Sequence, residues 1–186
     1  QKRFLSQDVR RDVTKIQITD VADIQMLGTA CRERTARNKM GFRDVSKITI
    51  TILETLIRVH ANRGMKFFVV DYLQLMDATA ESSKLPRNLQ IAEITRRCKT
   101  LAMKLKIVLF EVSQLKRLDK KRNGLPDVTD ASDSKTIEDD ADVMLIIDRE
   151  RGSSSAKIRV GKNRSGPTSD WLDIGFHGDY TKFVDL

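Results

Sequence analysis

KFFVVDYLQLM, residues 66 to 76, decides the fold. Its first part, Lys66 to Val70, reads as a fully buried strand, because a short apolar run rich in aromatic and β-branched residues fits the interior of a sheet. The run ends on Asp71. Asp is disfavoured in strands, and an ionised carboxylate at the edge of a core is costly unless something compensates it. Asp71 is therefore either a polar cap or a group that faces a cation. At this point both readings stand open.

Downstream, a polar loop (DATAESSKLPRN) leads into residues 88 to 105, NLQIAEITRRCKTLAMKL. Ile91, Ile94, Cys98, Leu101 and Leu105 recur on one stripe, which predicts an amphipathic helix. IVLFEV, 107 to 112, predicts another buried strand. Strand, long helix and strand make a βαβ unit, and such a unit builds a parallel sheet. Upstream, SKITITILETLIRVHAN (46 to 62) places Ile48, Ile52, Leu56 and Val59 at helical spacing. Ser46 is the candidate cap and Gly64 the stop, although the β-branched ITIT leaves the first turn ambiguous. A further helix is expected around Ile24 to Arg37. From Ser113 to Asp142 no strong periodicity emerges, and a gap of that length in a compact domain points to a functional or disordered segment. VMLIID (143 to 148) predicts a third buried strand. AKIRVGKNR (156 to 164) and TSDWLDIGF (168 to 176) flank SGP and predict a hairpin.

The chain has 186 residues, enough for one domain with a substantial core. No apolar run approaches membrane-spanning length, and nothing has the form of a signal peptide. Cys31 and Cys98 lie far apart and keep no histidine cluster, which argues against a disulfide or zinc framework and fits a reducing cytoplasm. The net charge is +8. Arg96, Arg97, Lys99, Lys104, Lys106, Lys116, Arg117, Lys120, Lys121 and Arg122 face only two acids in the same segment, Glu111 and Asp119, so this one segment carries the whole excess. A concentrated basic stretch fits a polyanion partner; a solvated helix face with a basic loop fits the charge equally well.

The second strand runs into Ser113-Gln114. Side by side in a parallel sheet, Asp71 and Gln114 would project from the same edge. A glutamine there can orient a water or sense a terminal phosphate, and an apolar strand ending in Asp matches the second nucleotide-binding motif of ATPases. The plainer alternative for Gln114 is a loop side chain bonded to backbone.

DYLQLM (71 to 76), LQIAEITRRCKTLAMKL (89 to 105), VSQLKR (112 to 117), SKTIEDDADVMLIIDRE (134 to 150) and VGKNRSGP (160 to 167), in that order, resemble the bacterial replicative DNA helicases of the DnaB type. The likeness runs from about residue 65 to the C-terminus, and the first 60 residues fit it loosely. It implies an α/β fold: a RecA-like core with a mostly parallel sheet flanked by helices, plus a C-terminal β-hairpin. Residues 1–186 would form a single partial RecA-like helicase domain, with 1–64 a helical region and 65–186 the sheet core. It further implies a homo-hexameric ring with ATP and Mg2+ between subunits and single-stranded DNA through the centre. Travel along the strand would run 5′ to 3′, with primase and a helicase loader as partners. Asp71 then matches the carboxylate associated with magnesium, holding it through water. Gln114 matches the glutamine that links nucleotide state to the DNA loop. Lys162 and Arg164 match the hairpin pair that reaches the neighbour's ATP site, Arg164 as an arginine finger worth about 10³ to 10⁵ in rate. Against this stands an exposed hairpin tip with ordinary basic residues.

The same resemblance places a DNA-binding loop after Gln114. Lys116, Arg117, Lys120, Lys121 and Arg122 supply cations, and Asp133 and Lys135 fall where successive phosphates are contacted, largely through backbone amides. Binding of this kind weakens steeply with salt, and the scarcity of aromatics points to phosphate tracking rather than base stacking. Two departures touch this loop: Ser132 stands where the family has Arg, and Lys135 where it has Gly. Glu138, Asp139, Asp140 and Asp142 read as a solvated helix start. His60 and His177 have no partners at motif spacing and read as structural, and Trp171 is expected to pack in the hairpin.

None of the nine glycines opens a GxxxxGK[ST] phosphate loop. Family members carry that loop and the catalytic glutamate upstream of the matching region, so the expectation is a chain holding one half of an ATP site plus elements given in trans. Alone, such a chain would bind ATP poorly and not turn it over, and it would expose apolar sheet edges. The competing reading is a non-catalytic DNA-binding or ring-regulating module that lost the phosphate loop; a recombinase with the same core fits DYLQLM and VGKNRSGP less well. An upstream reading frame continuing into a phosphate loop separates the first two.

Overall fold

The computed structural model describes residues 21–38, 41, 43, 45, 48–115, 124–131 and 134–186. Ser46, Lys116, Arg117, Lys120, Lys121, Arg122, Ser132 and Asp133 therefore lie outside the described residues. The elements in chain order are helix α1 (Val21–Asn38), helix α2 (Ile50–Asn62), strand β1 (Phe67–Val70), helix α3 (Arg87–Leu105), strand β2 (Val108–Glu111), helix α4 (Ser134–Asp140), and strands β3 (Val143–Asp148), β4 (Ser155–Asn163), β5 (Leu172–His177) and β6 (Lys182–Val184). Short 3-10 turns follow β1 (Leu73–Leu75) and precede α4 (Val128–Asp130). Among the described residues no helix is long and apolar enough to cross a membrane.

The chain divides into two compact units. The larger, Val45–Ile146 with Val160–Ser169, holds the βαβ unit. β1 and β2 pair in parallel, Phe67 opposite Val108 through Val70 opposite Glu111, with α3 as the crossover. Its core consists of Ile50, Leu53 and Ile57 of α2, Ile91, Ile94, Cys98 and Leu101 of α3, and Leu73, Met76 and Ile137, with Phe68, Val70 and Leu109 packed against them. Four of the five residues in the expected α3 stripe are thus buried, and Leu105 packs at the margin.

The α2 stripe differs from expectation. Ile52 and Val59 are exposed, while Ile50, Leu53 and Ile57 face inward. The segment is apolar at so many positions that periodicity alone does not choose a face; packing against α3 chooses it. The helix also begins later than Ser46, with Thr49 as cap, its hydroxyl accepting from the Ile52 amide. Gly64 ends it with φ 91°, a conformation open to glycine at no steric cost.

β1 also departs from the fully buried strand expected. Phe67 is 60% and Val69 57% exposed, and Val108, Phe110, Val143 and Leu145 are exposed as well. α2 and α3 cover one face of the pair. A parallel sheet is ordinarily covered on both; among the described residues the other face of this pair carries exposed Phe67, Val69, Val108 and Phe110.

The smaller unit, Gln1–Asp44, Ile147–Arg159 and Asp170–Leu186, carries the antiparallel strands. β4 pairs with β5, Ser155 opposite Gly175 through Ile158 opposite Leu172, and β5 pairs with β6. The hairpin expected from the sequence is therefore present. Trp171 lies under the Arg159 guanidinium, 5.2 Å from the ring centroid, and Arg149 sits 4.1 Å over Phe176. Lys157 and Asp173 pair across β4 and β5 at 2.7 Å.

Candidate functional site

Because β1 and β2 are parallel and in register, they end at the same edge. Asp71 is the first residue past β1, and Gln114 lies three residues past β2. Both are exposed. The backbone extends the pairing beyond the strands: the Val112 amide donates to the Val70 carbonyl and the Leu73 amide to the Val112 carbonyl, each at 2.9 Å.

Gln74 then joins the two loops. Its Nε2 donates to Ser113 Oγ at 2.9 Å, and its Oε1 accepts from the Gln114 amide at 3.3 Å. Arg87, at the first turn of α3, secures the same loop from the other side. Its guanidinium donates to the carbonyls of Gln74 at 3.1 Å and Met76 at 2.9 Å. Sequence reading missed both residues. Gln74 lies within DYLQLM, but its partners are about 40 positions away, and no local pattern marks such a contact.

Lys162 and Arg164 occupy the other end of the same unit's chain, where β4 runs into the SGP turn. β4 can pass close to its neighbours here because residue 161 is glycine. A Cβ at that position would lie 2.7 Å from Ile146 Cδ1 and 2.7 Å from Val128 Cγ1. The turn is braced by Asn163, whose Nδ2 donates to the Pro167 carbonyl at 3.2 Å and whose Oδ1 accepts from the Ser165 amide at 3.2 Å.

Both basic side chains meet the end of α4. Lys162 Nζ donates to the Glu138 carbonyl. The Arg164 guanidinium donates to the Asp139 carbonyl at 3.0 Å, its backbone amide to the Asp142 carbonyl at 2.8 Å, and its Nε lies 3.6 Å from Asp142 Oδ1. The Arg164 side chain remains 51% exposed. Lys99 of α3 pairs with the other oxygen of Asp142. The hydrogen bond from Lys99 holds the Asp142 carboxyl below its ordinary range, with Arg164 and Lys162 adding to the effect.

Glu138, Asp139, Asp140 and Asp142 correct one expectation: they lie at and beyond the end of α4, not at a helix start. Asp140 accepts from Thr95 Oγ1 of α3 at 2.8 Å. Lys135 stands on the first turn of α4, exposed. His60 closes α2, where its carbonyl accepts from Arg63, and His177 lies on β5 opposite Lys182.

Among the described residues no three His, Cys, Asp or Glu side chains converge on a metal position. Asp71 offers a single exposed hard-oxygen ligand. That donor set fits magnesium, which keeps several waters and is held by one or two carboxylates together with phosphates rather than by an all-protein cage.

A family model for the DnaB-like helicase C terminal domain matches residues 1–185 of the chain. The replicative DNA helicase DnaB of Haemophilus influenzae is 32% identical over 197 residues, covering 99% of this chain and 42% of the relative. The probable plasmid replicative DNA helicase of Chlamydia trachomatis is 42% identical over 98 residues, 52% of this chain and 21% of the relative. The chain thus spans about two-fifths of the length of the relatives that it matches over nearly its whole length. Among solved structures, a DnaB-like replicative helicase described with its interactions with primase superposes with TM-score 0.83 at 24% identity, over 100% of this chain and 47% of that one. A second solved structure, described as an ATPase domain, superposes with TM-score 0.79, also at 24% identity, over 100% of this chain and 69% of that one. The mixed helix-and-strand fold is therefore that of the RecA-like ATPase domains of such helicases.

Proposed function

The chain belongs to the family of DnaB-like helicase C-terminal domains, and on that ground we propose that it is the C-terminal region of a replicative DNA helicase. Its work is to couple ATP hydrolysis at subunit interfaces to movement along single-stranded DNA and to duplex unwinding. The observation that carries this reading is the shared edge: Asp71 and Gln114 leave adjacent parallel strands, and Gln74 ties their loops together. Ligands of open α/β sheets bind outside the carboxyl ends of the strands, which is where both residues stand.

In this reading Asp71 holds the water shell of a magnesium ion that accompanies ATP. The ion, when bound, neutralises charge on the β- and γ-phosphates. Gln114 orients the water or senses the terminal phosphate, and its backbone, fixed by Gln74, passes that information into the chain that follows. Lys162 and Arg164 serve the ATP site of an adjoining subunit, Arg164 as a finger that neutralises charge on the transferred phosphoryl group. The chain itself has no phosphate loop, so Asp71 and Gln114 supply only part of a site, and the cradle for the phosphates belongs to the rest of the protein. Lys116, Arg117, Lys120, Lys121, Arg122, Asp133 and Lys135 track DNA phosphates in the ring's centre. A homo-hexamer in the cytoplasm, meeting primase and a helicase loader, completes the proposal. Primase is favoured because the similar replicative helicase structure is described with it.

The test is strand displacement by the full-length protein on a forked duplex with ATP and Mg2+. Wild type unwinds, and Asp71→Asn and Arg164→Ala each stop unwinding while single-stranded DNA still binds. Unwinding by both variants at the wild-type rate ends the reading. A full-length protein that binds single-stranded DNA without ATP-dependent unwinding is the regulatory module instead.

A further inference from the structure

Helix α4 ends on three consecutive acids, Glu138, Asp139 and Asp140, with Asp142 two positions on. Acids there face the negative end of the helix dipole, and cations are the favourable neighbours. The cations come from two other elements. Lys162 and Arg164, at the end of β4, donate to the last carbonyls of α4, and Lys99 comes from α3. Carbonyls at the end of a helix lack partners within it, so Lys162 and Arg164 close the end of α4 in the manner of a cap. Asp142 is the joint of this arrangement: its carbonyl takes the Arg164 amide, one carboxylate oxygen faces Arg164 Nε, and the other takes Lys99.

The geometry points to Asp142 as a positioning residue for Arg164. It fixes the hairpin tip to the end of α4, so the guanidinium and the helix that carries Lys135 at its start move together. α4 is seven residues long, so Lys135 and Asp142 stand within about two helical turns of each other. DNA held at Lys135 then sets where Arg164 lies, by a route that does not pass through Gln114. The inference rests on the proposed reading of Arg164 as a residue that serves an adjoining ATP site and of Lys135 as a phosphate contact. Asp142 itself need touch neither nucleotide nor DNA.

The experiment measures kcat and KM for ATP of the full-length protein, with and without saturating single-stranded DNA, together with the thermal midpoint. Its variants are Arg164→Ala, Asp142→Asn, Asp142→Glu and the Asp142→Asn/Arg164→Ala double. Misplacing a catalytic group by about 1 Å costs on the order of 100-fold, so Asp142→Asn is expected to lower the DNA-stimulated kcat about 10- to 100-fold with KM nearly unchanged. Asp142→Glu, which keeps the carboxylate, recovers a part of that loss. The double variant is no slower than Arg164→Ala alone, because residues that act through one another are not additive. If Arg164→Ala abolishes the stimulated rate and Asp142→Asn leaves it at the wild-type level, the positioning role is overturned while the finger stands. The role is also overturned if Asp142→Asn lowers only the thermal midpoint, or if the double variant falls well below Arg164→Ala. If Arg164→Ala itself leaves kcat unchanged, the finger reading and the positioning role fall together.

Discussion

Gln74 and Gln114 are joined across the edge of the sheet: the side-chain oxygen of Gln74 accepts the backbone amide of Gln114 at 3.3 Å, while its nitrogen donates to Ser113 Oγ at 2.9 Å. The loop that carries Asp71 and the loop that carries Gln114 are therefore one connected surface. Gln74→Ala removes both bonds at once. Each such bond contributes about 1 kcal/mol net, so losing the two should lower the thermal midpoint by only several degrees. The stimulated kcat of the full-length protein should fall about 10-fold through the loosened Gln114, well short of the full cost of misplacing a catalytic group. Steady-state ATPase measurements check this; a large drop in midpoint with unchanged kcat would make Gln74 a packing residue only.

DNA binding through the basic loop should depend on salt in a countable way. For single strands the logarithm of the binding constant falls with the logarithm of salt by about 0.7 per phosphate neutralised. Lys116→Ala, Arg117→Ala and Lys120→Ala should each flatten that slope by about one such step, with little change in sequence preference. Fluorescence anisotropy titrations across a salt series measure the slopes. Slopes identical to wild type for all three variants would remove these cations from the interface.

Glu111 gives a pH dependence whose sign is fixed. Burial pushes its carboxyl from the ordinary 4.5 up to about 7; a hydrogen bond with Cys98 opposes the rise, and the Asp140 charge adds to it. Between about 4.5 and about 7 the folded chain holds a proton that the unfolded chain has lost. Stability therefore declines as pH rises through that window and levels off above it, by roughly 1–3 kcal/mol. Glu111→Gln should abolish the decline and stabilise the protein at pH 8. Urea midpoints from pH 4.5 to 8 report it; a wild-type midpoint that climbs with pH over that range would contradict the assignment.

Gly161 is a packing requirement. With Ile146 and Val128 side-chain atoms 2.7 Å from a would-be Cβ, Gly161→Ala forces β4 away from its neighbours and should cost about 1–3 kcal/mol. Chemical denaturation measures the loss, and an unchanged midpoint would show that the neighbouring side chains yield freely.

The parts of this fold that the sequence made legible are those written in local pattern. Phe67 to Val70, the stripe from Ile91 to Leu101 and Val108 to Glu111 spell a βαβ unit, and from it the common edge of Asp71 and Gln114 follows by geometry. What pattern alone does not encode is contact at long range. Ile52 and Val59 are as apolar as Ile50 and Ile57, and only packing against α3 decides which pair turns inward. The bridge from Gln74 to Ser113, the clamp from Arg87 and the meeting of Arg164 with Asp142 all join residues separated along the chain. The exposure of Phe67 and Val69 among the described residues is likewise not written in the pattern, because an apolar run reads as buried on both faces whatever covers it.

The central claim is that Asp71 acts in one subunit's ATP site and Arg164 in the next one's. Co-expressing full-length Asp71→Asn with full-length Arg164→Ala tests it, because each alone spoils every interface. In a head-to-tail ring about a quarter of the interfaces in an equal mixture join an intact Asp71 to an intact Arg164. DNA-stimulated ATPase activity, absent from either variant alone, is predicted to return in the mixed rings; mixed rings that assemble and stay as inactive as the single variants would contradict the claim.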